Sequence, residues 1–497
     1  MKNYAKRAGF LVLICLSATL WGNDTELMLF QNQLRRSAFP DNAETRRLFK
    51  ELIMAPVYPL DEAPFRLVRQ RSNDQLVQFE LRKGIEEWYL IFRSQRGEEL
   101  QEKYPLWGRG TWVIKKDMYT GEFVQAKVFI QDSEESFVRI YPYTGNRSKL
   151  DVHLFGSQIG DDVILPIAFE KIILSSFASI VAATNHSINW DLVFPNPDRI
   201  GYRFVENFVN QIKIYSSQIA EVEDGAIDSS GINVFIENGQ PLPESAVEPG
   251  LTGLNCSGYV KWIADGVFSA WSGTPGRKYL DIEQLKEPTS RANRNAWSEA
   301  FSGTDTAYRE KNALIRDPRF GLDWTRNLAW QTETARLGIT LSDKEKSQLN
   351  TGVLHGIPYR ADLGYPLENI PAVLHQLAAV NPGTVYLAAV NSRYQPDFHP
   401  SRTLALHQYW HVLVLAPWFA QDGSFHIAVL DTGMADESLL RLPGIPDEPL
   451  FPRRIMDKAI EYAKLGKDEE GNPILPEVML HLVKMKLPPD FHPLPLH

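Results

Sequence analysis

Cys256 is one of two cysteines in this 497-residue chain, and the other, Cys15, lies in an apolar run near the start. A thiol does acyl chemistry only as its thiolate, which a helix N-terminus, a nearby cation or a histidine can favour. The local sequence offers the first of these. Asn255 is a good N-cap, and positions 256, 259, 260, 263, 264 and 267 fall on one helical face, mostly apolar. The spacing predicts a core helix opening at Cys256, with the sulfur in the first turn. There the helix dipole and the unpaired amides favour a thiolate and could stabilise an oxyanion. Ser257 and Gly258 are small enough for substrate or neighbouring backbone to come close.

A nucleophilic cysteine also needs a base. Residues 410–415 (WHVLVL) and 425–431 (FHIAVLD) read as two strands of a hairpin. Gln421-Asp422-Gly423 suits a three-residue loop with glycine in the left-handed position. That register sets His411 opposite position 433 and makes Asp431 its diagonal neighbour on the same face, about 7 Å away between Cβ atoms. His426 then pairs with Trp418, about 23 Å along the strand from His411 and on the other face. Asp431 is therefore the expected orienter of the imidazole, with His426 in reserve, because a bulge near Pro417 would flip the faces. His407 is an alternative base if the strand extends that far. His355, His375 and His399 fall in loop or helix contexts and read as structural or exposed. Metal-ligand spacing, a phosphate-binding glycine loop and a GxSxG turn are all missing from the sequence, so neither a metal nor a cofactor is expected.

The string NCSGYVKWIADG at 255–266 resembles the cysteine-helix motif of the NlpC-type peptidases, a papain-like family. Residues 383–390 (GTVYLAAV) and the His411 hairpin are similar to the strands that follow in that family. The resemblance covers about residues 250–435. It implies an α+β papain-like catalytic domain in which Cys256, His411 and Asp431 carry out acyl transfer. It also implies amide bonds of peptidoglycan stem peptides as substrate. Thr384 stands where the family strand usually has aspartate, and three further features depart from the family pattern. Asn255 stands where an acidic residue is usual, the upstream Tyr-x-Trp-Gly-Gly type segment is missing, and Cys256 and His411 are 155 residues apart. The intervening 272–380 then reads as a helical insertion over the cleft. A transglutaminase-like acyl transferase also fits a cysteine at a helix start with His and Asp on successive strands. A catalytically inactive domain that serves as a cell-wall binding scaffold is the third reading.

Several elements must position this set. Residues 44–53 have helical spacing, and 204–219 read as an amphipathic helix. Segments 76–81, 88–93, 110–115, 123–131 and 136–141 read as strands separated by turn residues such as Thr120-Gly121 and Thr144-Gly145-Asn146, which suggests a sandwich or open barrel. The expected organisation is a signal peptide at 1–22, a helical lead-in at 23–60 and a β-rich domain at 61–200. Helix and linker follow at 201–249, then the catalytic domain at 250–435 and a C-terminal extension at 436–497 with helices near 454–465 and 476–486.

The start of the chain combines Lys2, Lys6 and Arg7 with an apolar run at 10–20 and small Gly22, the pattern of a secretory signal peptide. The run is short for a membrane span, so a periplasmic or secreted protein with no further transmembrane segment is expected. Removing it leaves Cys256 as a lone thiol and makes the formal charge of −9 three units more negative. An acidic chain without a basic block is not expected to bind nucleic acid.

Overall fold

The computed structural model describes residues 39–55, 65–95, 108, 110–131, 133–273, 279–289, 319–394, 406–432, 434–436, 450–463 and 470–496. The fold is α+β. The chain packs as two compact units, of which the first comprises residues up to 198 together with 419–424 and the second most of the remainder. The expected signal peptide lies outside the described residues. Among those described, no helix is long and apolar enough to cross a membrane.

The first unit opens with two short helices, α1 (Ala43–Leu48) and α2 (Lys50–Met54). Eight strands then meander in antiparallel sequence: β1 (Arg66–Arg69), β2 (Leu76–Lys83), β3 (Glu87–Ser94), β4 (Trp112–Asp117), β5 (Phe123–Phe129), β6 (Phe137–Tyr143), β7 (Arg147–Leu154) and β8 (Ser157–Gln158). A ninth, β9 (Val163–Leu165), pairs with β7, so the described strands form one sheet and not the two layers of a sandwich. Period-2 alternation gives the sheet one buried face. Leu90, Ile114, Ala126, Ile140 and Leu150 are in register across five strands, and each is fully buried. Helix α3 (Phe177–Thr184) belongs to the same unit.

The second unit begins with α4 (Ile200–Ser216). A two-strand parallel pair follows, β10 (Ile219–Glu221) with β13 (Thr252–Leu254), and a short antiparallel pair, β11 (Ala226–Ile227) with β12 (Asn233–Val234). Helix α5 (Cys256–Ser272) follows β13 at once and ends at Gly273, whose φ of +54° is the left-handed cap that glycine tolerates. Helix α6 (Phe320–Leu337) packs along α5, and its Trp324 indole donates to the Ser257 carbonyl at 3.0 Å. The stretch expected as an insertion over a cleft therefore supplies a core helix, because Trp324 is fully buried.

The main sheet of this unit runs β14 (Tyr365–Pro366), β19 (Val478–Lys486), β15 (Thr384–Tyr394), β16 (Leu406–Phe419), β17 (Phe425–Asp431), β18 (Met434–Asp436). Helix α7 (Ile370–Val380) leads into β15, and α8 (Leu450–Ala463) precedes β19. The expected helix at 476–486 is a strand, paired with β15 from Val478↔Ser392 to Lys486↔Thr384. Both faces of β19 are covered, so Val478, Met479, Leu480, Leu482 and Val483 are all buried and the period-2 signature is erased. The C-terminal region is thus an inner strand of the sheet and not a wrap around it.

Candidate functional site

Helix α5 starts where its cap requires. Asn255 has an extended backbone and its side-chain oxygen accepts the Gly258 N–H at 2.9 Å. The Asn255 amide itself donates to the Gly225 carbonyl at 3.1 Å. Gly258 is fixed by the same neighbour, since a Cβ there would lie 2.0 Å from the Gly225 carbonyl oxygen. Glycine at 258 thus admits backbone, one of the two roles its small size allowed. Residues 257–268 are buried without a break, so α5 is a central helix and not an amphipathic one. This burial includes Lys261 and Asp265, an i,i+4 pair at 2.8 Å with both side chains fully enclosed. Burial pushes the Asp265 carboxyl up to about 6, against the opposing pull of Lys261 and the Leu280 N–H.

Cys256 is half-buried as a residue, and its sulfur meets the middle of β16. Burial alone would raise its pKa. The His411 charge, a hydrogen bond with the same ring and the Val412 N–H outweigh that, and the thiol is held below its ordinary value. His411 is itself buried, which disfavours its charged form. The Asp431 and Cys256 charges and their hydrogen bonds reverse this and push the imidazole up to about 10. The ring nitrogen Nε2 lies 3.1 Å from Asp431 Oδ2, leaving the Nδ1 edge for the sulfur. The arrangement therefore favours the charged forms of both groups, thiolate on Cys256 and imidazolium on His411.

Asp431 ends β17 and is almost fully buried. Its Oδ1 accepts the Thr432 N–H at 2.8 Å, and its Oδ2 also accepts from Lys458 Nζ of α8 at 2.8 Å. Desolvation opposes its ionisation, but His411 and Lys458 prevail and hold it well below the usual carboxylate range.

The hairpin supports this geometry. Ala420 N–H bonds to the Ser424 carbonyl at 2.9 Å, and Gly423 has a φ of +76°, closing a three-residue loop over 421–423. The His426 ring stacks on Trp418, centroids 5.2 Å apart, so it is Asp431 and not His426 that meets His411. A bulge does occur in β16, in its pairing with β15. Val390 pairs with His411 and Asn391 with Tyr409, so Trp410 is the extra residue in β16. Successive side chains then share a face, and the Trp410 ring lies parallel to His411 with centroids 5.6 Å apart.

His375 is buried on α7 with its ring against Phe425, and His355 sits in an exposed turn. The His407 side chain and His399 lie outside the described residues. The sequence reading missed Lys458, the Val412 amide and the Trp410 bulge. Only the Lys261–Asp265 pair left a signal, its i,i+4 spacing.

Three comparisons with known proteins bear on the chain. A family model described as a domain of unknown function (DUF8515) matches residues 35–192. That match falls within the first unit and reaches none of Cys256, His411 and Asp431. No curated protein and no solved structure matches the chain.

Proposed function

We propose that the second unit is an exported, papain-like cysteine hydrolase that cleaves amide bonds in peptidoglycan stem peptides through an acyl-enzyme. The observation that carries the reading is His411, held between the Cys256 sulfur and the Asp431 carboxylate. The substrate class rests on the resemblance of residues 255–266 to NlpC-type peptidases, and export on the first 22 residues.

The chemistry runs in two halves. The Cys256 thiolate attacks the scissile carbonyl carbon, and the electron pair moves to the carbonyl oxygen. The Gly258 N–H is occupied by the cap, so the Cys256 amide and the dipole of α5 are the helix's means of stabilising that oxyanion. Collapse breaks the C–N bond as the His411 imidazolium gives its proton to the departing nitrogen. The neutral imidazole then takes a proton from water as it attacks the thioester, and the second collapse restores thiolate and imidazolium.

One observation favours a second reading. The third residue is a carboxylate on the strand next to the histidine, as in transglutaminase-like acyl transferases. Digestion of purified muropeptides with wild-type protein and Cys256→Ala, followed by mass spectrometry, separates the two. Cleavage that disappears in the variant supports the hydrolase, and incorporation of an added amine supports the transferase. Neither product, together with slow alkylation of Cys256 near neutral pH, removes both readings and leaves a binding scaffold.

A further inference from the structure

We infer that Lys458 is a positioning residue of the cysteine centre: its ammonium shares one Asp431 oxygen with the His411 ring, fixes the carboxylate and trims the negative charge that the imidazolium feels. The inference rests on the thiolate–imidazolium reading of Cys256 and His411.

The geometry is specific. Asp431 Oδ2 receives Lys458 Nζ at 2.8 Å and faces His411 Nε2 at 3.1 Å, while Oδ1 receives the Thr432 N–H. Two cations thus converge on one oxygen of an almost fully buried carboxylate. The lysine reaches it from α8, an element separate from both strands of the hairpin. Its side chain is 31% exposed, so solvent screens it only in part. From α5, Cys256 faces the imidazole, and the Tyr259 phenol is within electrostatic reach of Asp431. On α8 itself Asp457 and Glu461 are exposed to solvent.

The sign follows from these positions. A neighbouring cation weakens an imidazolium and favours a thiolate. Without it, the Asp431 charge acts at full strength, so His411 holds its proton to higher pH and Cys256 gives up its proton later. Both limbs of the pH profile of Cys256 reactivity then move upward. The expected displacement is about one pH unit, the effect of a unit charge two hydrogen bonds away after solvent screening.

The test measures the rate of Cys256 carboxymethylation by iodoacetate from pH 4 to 11, by mass spectrometry, on the full chain. Iodoacetate is anionic, so its rate senses the imidazolium charge as well as the thiolate. Wild type, Lys458→Met, Lys458→Gln and Lys458→Arg are compared, with circular dichroism as the check on folding. Lys458→Met should raise both limbs by about a unit, a tenfold change in rate on the acid limb, and Lys458→Arg should restore them. Lys458→Gln keeps a donor without charge and should behave like Lys458→Met, so it decides the matter if the methionine variant does not fold. Limbs that stay at the wild-type positions in a folded uncharged variant overturn the inference, as does an arginine variant displaced as far as the uncharged ones. A wild-type profile with one limb near the free-thiol value of about 8.5 overturns the ion-pair reading itself, and this inference with it.

Discussion

Asp431→Asn removes one charge from the site while nearly keeping its shape, so its consequence can be worked out. The Asp431 oxygen lies 3.1 Å from the His411 nitrogen. Two unit charges at that separation attract by about 5 kcal/mol at an effective dielectric constant of about 20. Three features reduce this. Lys458 already offsets part of the carboxylate charge, that charge is spread over two oxygens, and the asparagine carbonyl can still accept the ring N–H. About half survives, some 2.7 kcal/mol, equal to a fall of about two pH units in the imidazolium pKa. In wild type the ring titrates at about 10. The alkaline limb of iodoacetate reactivity at Cys256 should therefore drop to about pH 8 in the variant. The acid limb should move slightly downward, because Asp431 opposes the thiolate. Asparagine thus narrows the active window from its alkaline side, the opposite of what loss of Lys458 should do there. An alkaline limb at the wild-type pH in folded Asp431→Asn would refute the assignment of Asp431 as the charge that sustains the imidazolium.

Three further outcomes follow from the geometry of α5. Asn255→Ala removes the acceptor of the Gly258 N–H and should cost about 1 kcal/mol in urea unfolding, so an unchanged midpoint contradicts the cap. Gly258→Ala drives a methyl to 2.0 Å from backbone oxygen and should cost more than about 3 kcal/mol, seen as lost soluble protein or a large fall in melting temperature. A variant that folds within about 0.5 kcal/mol of wild type disproves the close approach. Lys261→Met strands the Asp265 carboxylate and should destabilise by about 3 kcal/mol near neutral pH, whereas Lys261→Met with Asp265→Leu should be close to neutral. The sign with pH is fixed. The folded Asp265 pKa of about 6 lies above the unfolded one, so ionisation subtracts stability as pH rises from about 4 through 6, and the double variant should lose that dependence.

The local features of the site could be read from the sequence, whereas most of those that link distant elements could not. The Asn255 cap, the start of α5 and the 421–423 loop are each fixed by residues within a few positions of one another. The strands from β2 to β6 are visible because one face is buried and the other is not. By contrast β19 is enclosed on both sides, and its VMLHLVKMK run carries no period to distinguish strand from helix. The 320–337 region looks like surface because of its Arg, Asn and Thr content. It is core because Trp324 reaches the Ser257 carbonyl and Arg326 is buried against Asp362 at 2.7 Å. Lys458 gave no signal at all, since one lysine on an amphipathic helix reads as solvated until the fold sets it against Asp431.

The Trp410 bulge shows how a backbone irregularity can orient a neighbouring ring. An imidazole on a strand keeps freedom to rotate about its Cβ–Cγ bond, and a general acid must present one nitrogen to the sulfur. Asp431 holds one edge of the His411 ring, but a single hydrogen bond restrains rotation weakly. In a regular strand Trp410 would point to the opposite face. With one extra residue in β16 it turns to lie along the flat side of His411, and its indole N–H is tied to Ser392 on β15 at 3.0 Å. The ring is then bounded on one edge by a charge and on one face by an anchored aromatic, and the remaining edge is directed at Cys256. The bulge fixes the imidazole by packing, on a strand already held from both sides by β15 and β17.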